Sequence, residues 1–244
     1  MIRGLYTAAA GMLASQSQSD IIADNMANVR TPGFKEELSG LRTFPSMLID
    51  RVGTAAPAVL GSLGTGVVVD PVTRLNLGGS LRSTGVRTDL ALTGRGYFAV
   101  QTPQGVRYTR NGRFQLGTNG ILQTADGYPV LGSNGVIGPL SRNFTVGDDG
   151  TVTDGGKTAG QIRVADIPAG ALIREGDSLY ASSRGTVPAV GIEVHQGYLE
   201  TSNVDVAGQM VDMISVMKSY EANQKVIQTE DSTLDKAVNE VGKV

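Results

Sequence analysis

The chain has 244 residues, 40% of them hydrophobic, with 21 Lys and Arg against 23 Asp and Glu, one histidine, no cysteine and no tryptophan. That length and apolar content can bury one sizeable core or two smaller ones, while a formal charge of -2 leaves no electrostatic footprint for nucleic acid or an anionic membrane surface. Without cysteine there are no disulfides, thiolate metal sites or cysteine nucleophiles, and no window approaches the roughly 18 apolar residues of a membrane span.

The first 34 residues read as a helix and its stop. Leu5, Met12, Ser19 and Met26 recur at heptad spacing, with Ala8, Ser15, Ile22 and Val29 following each in turn, and together they trace one stripe of a helix. Several of these side chains are small or polar, so the stripe buries little area by itself and needs a packing partner. Thr31-Pro32-Gly33 ends it, because proline disfavours α geometry in the residue before it and glycine permits a sharp exit. The opening MIRGLYTAAAGMLASQ lacks the apolar region and small-residue cleavage site of a secretory signal. The expectation is a soluble protein, or one exported with its N-terminus intact.

Residues 35–74 mix polar, proline and glycine positions without periodicity and read as an extended arm. From about residue 75 to 195 the turn chemistry is that of hairpins. Asn111-Gly112, Asn119-Gly120, Asp126-Gly127, Asn134-Gly135, Asp149-Gly150 and Asp154-Gly155 favour tight turns. Between and around them lie β-prone runs at 97–101, 106–110, 113–116, 121–124, 144–146 and 161–167, which predict a compact antiparallel β domain.

Residues 196–244 carry the better stripe. Val206, Met213, Tyr220, Ile227, Leu234 and Val241 hold one heptad position, and Met210, Met217 and Val238 supply the second seam, interrupted by Gln224 and Asp231. With Ser202 and Asp205 at its start, this predicts a helix from about Asn203 to about Val241, roughly 55 Å long. The fold class is therefore α+β: N- and C-terminal helices pairing as a coiled coil, with a central antiparallel all-β domain. Pattern alone leaves two readings of the ends. They close on each other in an ordinary monomer, or they order only when neighbouring subunits cover their stripes.

Asn25-Met-Ala-Asn28-Val-Arg-Thr31-Pro-Gly33-Phe34 resembles the N-terminal signature of flagellar rod and hook proteins, and the preceding GLYTAAAGMLASQSQSDIIAD resembles that family's opening. Two further stretches agree in order, TGRGYFAVQTPQGVRYTRNGRFQLGTNGILQTADGYPVLG from Thr93 to Gly132 and GYLETSNVDVAGQMVDMISVMKSYEANQKVIQTEDSTLDKAV from Gly197 to Val238. The resemblance covers roughly half the chain and implies an inner layer of paired terminal helices, an outer β layer, and helical stacking of subunits around an export channel. The size of the β domain favours a rod protein over the hook protein, the proximal rod protein first and the distal one next. The implied partners are copies of the chain, other rod and hook proteins and the flagellar type III export apparatus, with a location in the basal body outside the cytoplasmic membrane.

On this reading Leu5, Met12, Ile22, Met26, Val206, Met210, Met213, Met217, Tyr220, Ile227 and Leu234 form the subunit interface. Asn25, Asn28, Thr31, Gly33 and Phe34 form the signature. Asn28 is expected to cap the helix in left-handed geometry, and Asn25 and Asn28 to hydrogen-bond to neighbouring helices and fix register. Phe34 and Leu38 match an aromatic, gap, apolar pattern associated with the export gate; the plain alternative is packing one helical turn apart.

The chemistry of an enzyme finds no purchase. His195 is the only imidazole and no G-x-S-x-G elbow accompanies it. Asp148, Asp149 and Asp154 lack a calcium-loop pattern and read as turn residues. Gly94-Arg95-Gly96 precedes a strand rather than a helix, against phosphate cradling. No cofactor, metal or small-molecule substrate is expected. The competing reading is a secreted β-rich binding module that its helices dimerise.

Overall fold

Two long helices bracket a sequence made almost wholly of short strands and turns. The computed structural model describes residues 2–51, 58–75, 77–176, 178–189 and 191–241, and the chain packs as two units. A helical unit comprises Met1–Ala27, Glu37–Thr73 and Asp205–Val244, and a β unit comprises Asn28–Glu36 and Arg74–Val204. The architecture is α+β, with an antiparallel β region between an N-terminal and a C-terminal helix.

In the helical unit α1 (Ile2–Ala27) packs on α2 (Val206–Lys236), which continues through a π turn over Ala237–Val241. The start of α2 is three residues later than its sequence suggests, because Asp205 is the cap: its carboxylate accepts from the N–H groups of Ala207 at 3.1 Å and Gly208 at 3.2 Å. Gly4 lies against Glu230, Gly11 against Asn223, Ser19 against Met213 and Asn25 against Gln209. The helices therefore run antiparallel, and each heptad step along α1 meets a heptad step back along α2.

That register corrects the expected second seam. The covered line of α2 runs Val206, Gln209, Met213, Val216, Tyr220, Asn223, Ile227, Glu230, Leu234 and Ala237, alternating steps of three and four. Met210, Met217 and Val238 stand one position beyond it and are 50%, 56% and 71% exposed. Their apolarity suggested the seam, but polar Gln209, Asn223 and Glu230 occupy it. Gly4 and Gly11 leave them room: a Cβ at either position would come within 2.6 Å of Glu230 or 2.7 Å of Asn223.

The segment expected as an extended arm forms paired strands. Leu41–Thr43 pairs antiparallel with Val67–Val69, and Met47–Arg51 with Ala58–Leu63. The Val67–Val69 strand lies on α1. Leu41, Phe44 and Met47 are exposed, so no alternation of burial is available to mark these strands in the sequence.

The β unit is built on an antiparallel sheet of six strands, in the order Leu172–Arg174, Tyr180–Ser182, Gly105–Thr109, Tyr97–Thr102, Val164–Asp166 and Val187–Pro188. Its central strand is buried on both faces. Phe98 and Val100 enter one core with Leu90, Leu122, Phe144 and Val152, while Tyr97 and Ala99 enter a second with Tyr108, Ala165 and Tyr180. Burying a side chain the size of Phe98 stabilises by about 2–3 kcal/mol, so this strand anchors the unit. Of the six Asn-Gly and Asp-Gly pairs, five place glycine at positive φ. Gly112 serves differently: a Cβ there would lie 1.6 Å from the Leu90 carbonyl oxygen.

Candidate assembly surfaces

The signature segment divides between the units. Asn25 is 1% exposed in the helical unit. Its Nδ2 donates to the Glu37 carbonyl at 2.8 Å and to Gln209 Oε1 at 3.1 Å, while its Oδ1 accepts the Glu37 N–H at 2.9 Å. One amide thus pairs with a backbone as a strand would and reaches the partner helix as well. Substituting Asn25 by leucine removes three hydrogen bonds among buried groups and is expected to cost about 3 kcal/mol. The urea midpoint of the helical circular dichroism signal, with hydrogen exchange at the Glu37 amide, measures this; an unchanged midpoint would show that the amide is dispensable.

Asn28 belongs to the β unit and is not a left-handed cap, since among the described residues only glycines have positive φ. It anchors a turn instead. The Thr31 N–H donates to the Asn28 carbonyl at 3.0 Å and the Thr31 hydroxyl to Asn28 Oδ1 at 3.2 Å. Gly33 follows at φ +70°, its N–H donating to the Glu200 carbonyl at 2.9 Å. Phe34 is 3% exposed, with the Arg174 guanidinium 5.6 Å from its ring centre.

Behind this turn sits a charge cluster that the sequence reading did not single out. Glu200 is 3% exposed, and its carboxylate accepts from Lys35 Nζ at 2.6 Å, from the Gly79 N–H at 2.9 Å and from Arg110 Nε at 2.5 Å. The other guanidinium nitrogens of Arg110 donate to the carbonyls of Leu92, Gly94 and Gly96, so one side chain ties a reversal of the chain to the carboxylate. Lys35 also donates to the Leu77 carbonyl at 2.7 Å. Burial alone would raise the Glu200 carboxyl, but the positive charges of Arg110 and Lys35 outweigh it and hold it below its ordinary value. Burial lowers Lys35, with Glu200 opposing. The three charges come from residues far apart in sequence, each inside or beside one of the stretches that carry the family resemblance. That coincidence was the available signal.

The sequence-derived interface residues fall into two groups. Leu5, Met12, Ile22 and Met26 of α1 and Val206, Met213, Tyr220, Ile227 and Leu234 of α2 are half-buried. Met210 and Met217 lie outside, in an exposed apolar patch with Val211 and Ile214. On α1, Tyr6 and Leu13 are 68% and 71% exposed. Phe34 and Leu38 do not pack one helical turn apart, because neither is helical; Leu38 begins to emerge at 40% exposure while Phe34 is buried.

His195 sits on the strand Glu193–Gln196 opposite Ala91, its Nε2 3.7 Å from the Glu193 carboxylate and its Nδ1 4.0 Å from that of Asp148. Asp149 and Asp154 serve turns. Asp149 accepts from the Thr151 hydroxyl at 2.6 Å and N–H at 2.9 Å, and Asp154 from the Ser141 hydroxyl and, at 2.7 Å, its N–H. Among the described residues no three His, Asp or Glu side chains are arranged to hold a metal ion, and no helix is long and apolar enough to cross a membrane.

Three family models match the chain in order: "Flagella basal body rod protein" over residues 5–35, "Flagellar hook protein FlgE/F/G D1 domain" over 91–154, and "Flagellar basal body rod FlgEFG protein C-terminal" over 195–240. The chain is 38% identical to the flagellar hook-basal body complex protein FlhO of Bacillus subtilis, with all of both chains covered. It is 35% identical to the flagellar basal-body rod protein FlgG of the same species, over 98% of this chain and 99% of that one. Against the flagellar basal-body rod protein FlgF of Caulobacter vibrioides it is 34% identical, again with all of both chains covered.

Proposed function

Because the chain belongs to the flagellar basal-body rod protein family, we propose that its terminal helices are the assembling part of a rod subunit and its β unit the outer layer. The protein is a structural component of the flagellar basal body, not an enzyme, and it works among other rod and hook proteins. The relatives reported above are all named for the hook-basal body complex or its rod, which leaves a secreted binding module without support.

The observation that carries the finer reading is the apolar surface the helix pair leaves open. Met210, Val211, Ile214 and Met217 are each at least half exposed, although α1 is already packed on α2. Patches of large apolar side chains that the chain itself does not cover mark interaction sites. We read the pair as a coiled coil whose outer faces are covered by neighbouring copies, stacking without closure into a helical tube. The interface then uses both groups of residues: Leu5, Met12, Ile22, Met26, Met213, Tyr220, Ile227 and Leu234 within the pair, Met210 and Met217 outside it.

Export through the flagellar type III apparatus, with the N-terminus retained, belongs to the same proposal. Phe34 is buried once the β unit folds, so a gate that recognises Phe34 and Leu38 would read the chain before folding.

Met217→Asp tests the assembling face. An aspartate placed in an apolar contact costs several kcal/mol when covered by a neighbour and nothing comparable when exposed. The variant is expected to keep its thermal unfolding curve within about 0.5 kcal/mol of the parent's while losing rod formation and swimming. Normal motility would refute the outer-face contact. Leu234→Asp, on the inner line, is expected to weaken the helix pair itself and so to change both measurements.

A further inference from the structure

Arg30, Arg82 and Arg113 converge on one cleft of the β unit, about 440 Å³ in volume, with Val29, Pro32 and Leu199 as its apolar walls. All three arginines are exposed, and among the described residues no ion pair or hydrogen bond engages their guanidinium groups. The acidic residue lining the cleft is Glu200, whose carboxylate is already taken by Lys35, Arg110 and the Gly79 N–H. Asp89 is the bridge partner of Arg113 but is buried and forms no ion pair with it among the described residues, so three guanidiniums are presented unpaired, a fork geometry suited to paired carboxylates.

The rest of the chain supplies the complement. The β unit has 14 Lys and Arg against 11 Asp and Glu, whereas the helical unit has seven against twelve. Near the end of α2, Asp231 and Asp235 are both exposed and stand one helical turn apart, a like-charge pair that disfavours an isolated helix unless a cation lies alongside. Asn239 Nδ2 donates to Asp235 Oδ1, but an amide brings no charge.

We propose that the Arg30–Arg82–Arg113 cleft takes the Asp231–Asp235 turn of α2 from a second copy of this chain. The inference rests on the rod-subunit reading and adds to it a specific contact between the outer layer of one subunit and the inner layer of the next. It gives helical stacking a polar register to go with the non-directional apolar faces.

The absence of native cysteine makes the test clean. Arg82→Cys and Asp235→Cys are combined in the full chain, rods are isolated from cells carrying it, and a short bis-maleimide is added. The expected result is a ladder of covalent multimers that neither single variant gives. Rods that form yet yield only monomer, including monomer linked within itself, overturn the proposal while leaving the rod-subunit reading intact; absence of the unsubstituted parent chain from isolated rods would count against that reading instead. Should the cysteine pair prevent assembly, charge exchange decides. Arg82→Asp and Asp235→Arg are each expected to lower rod yield at least tenfold, and together to recover it. A combined variant no better than the worse single one overturns the contact.

Discussion

Glu200→Ala is expected to lower the melting temperature of the β unit by roughly 10–15 °C. The substitution removes the carboxylate that Lys35 and Arg110 share at 2.6 Å and 2.5 Å and leaves two cations in a site where every side chain involved is at most 5% exposed. Breaking a buried pair from one side costs about 3–5 kcal/mol, because the remaining charge is left without compensation. At this size each kcal/mol shifts the midpoint by about 2–4 °C, and domains of this kind have only about 5–15 kcal/mol in hand. The pH dependence carries the same signature. Glu200 has its folded-state pKa depressed below the ordinary 4.5, burial being outweighed by Arg110 and Lys35. Its contribution is therefore fully present above about pH 4.5 and is lost as pH falls through the folded value. Thermal unfolding followed by near-ultraviolet circular dichroism should show the parent losing stability below that pH, with Glu200→Gln flattened over the same range. Parallel acid profiles for parent and Glu200→Gln would show that other carboxylates govern acid unfolding.

That cluster marks the boundary of what was legible. The helices announced themselves because a heptad repeat is local: Val206, Met213, Tyr220, Ile227 and Leu234 do lie on the covered line of α2. The second covered line of α2 differs from the expected seam because hydrophobicity is the only local guide, and Met210 and Met217 together outrank Gln209 and Val216 on that scale. Only the opposing helix shows that Gln209 has Asn25, and Asn223 has Gly11, to receive it. The hairpin turns of the β unit were readable from Asn-Gly and Asp-Gly pairs, whereas Leu90–Thr93 and its partner Glu193–Gln196 were not. Leu90, Ala91 and Leu92 are all buried, so no alternation separates one face from the other. Lys35, Arg110 and Glu200 could not be paired from sequence at all. Each is an ordinary charge until the fold brings separations of 165 and 90 residues to hydrogen-bond distance.

Gly33→Ala is expected to be nearly as damaging as the loss of Glu200, although it adds one methyl group. Two penalties combine there. The backbone holds φ at +70°, which costs an L residue about 1–2 kcal/mol, and a Cβ would lie 2.3 Å from the Arg110 carbonyl oxygen and 2.5 Å from its carbonyl carbon. Those are backbone atoms of a residue whose guanidinium is fixed by Glu200, Leu92, Gly94 and Gly96, so the neighbour has little freedom to retreat. The turn must move instead, and with it the Gly33 N–H bonded to the Glu200 carbonyl. A loss of about 3 kcal/mol or more follows from strain plus displaced contacts. Gly85→Ala provides the control, since Gly85 has φ +68° but nothing within 4 Å of the added carbon. It should cost only the backbone share, about 1–2 kcal/mol. Urea unfolding of the two variants therefore separates conformation from crowding. Equal losses would mean that the approach to Arg110 relaxes freely and that the signature glycine is required for its φ alone. A larger loss at Gly33 would mean that the signature turn, Arg110 and Glu200 form one packed cluster, in which the Asn28–Glu36 segment, the β sheet and the Tyr198–Glu200 strand of the β unit are fastened together.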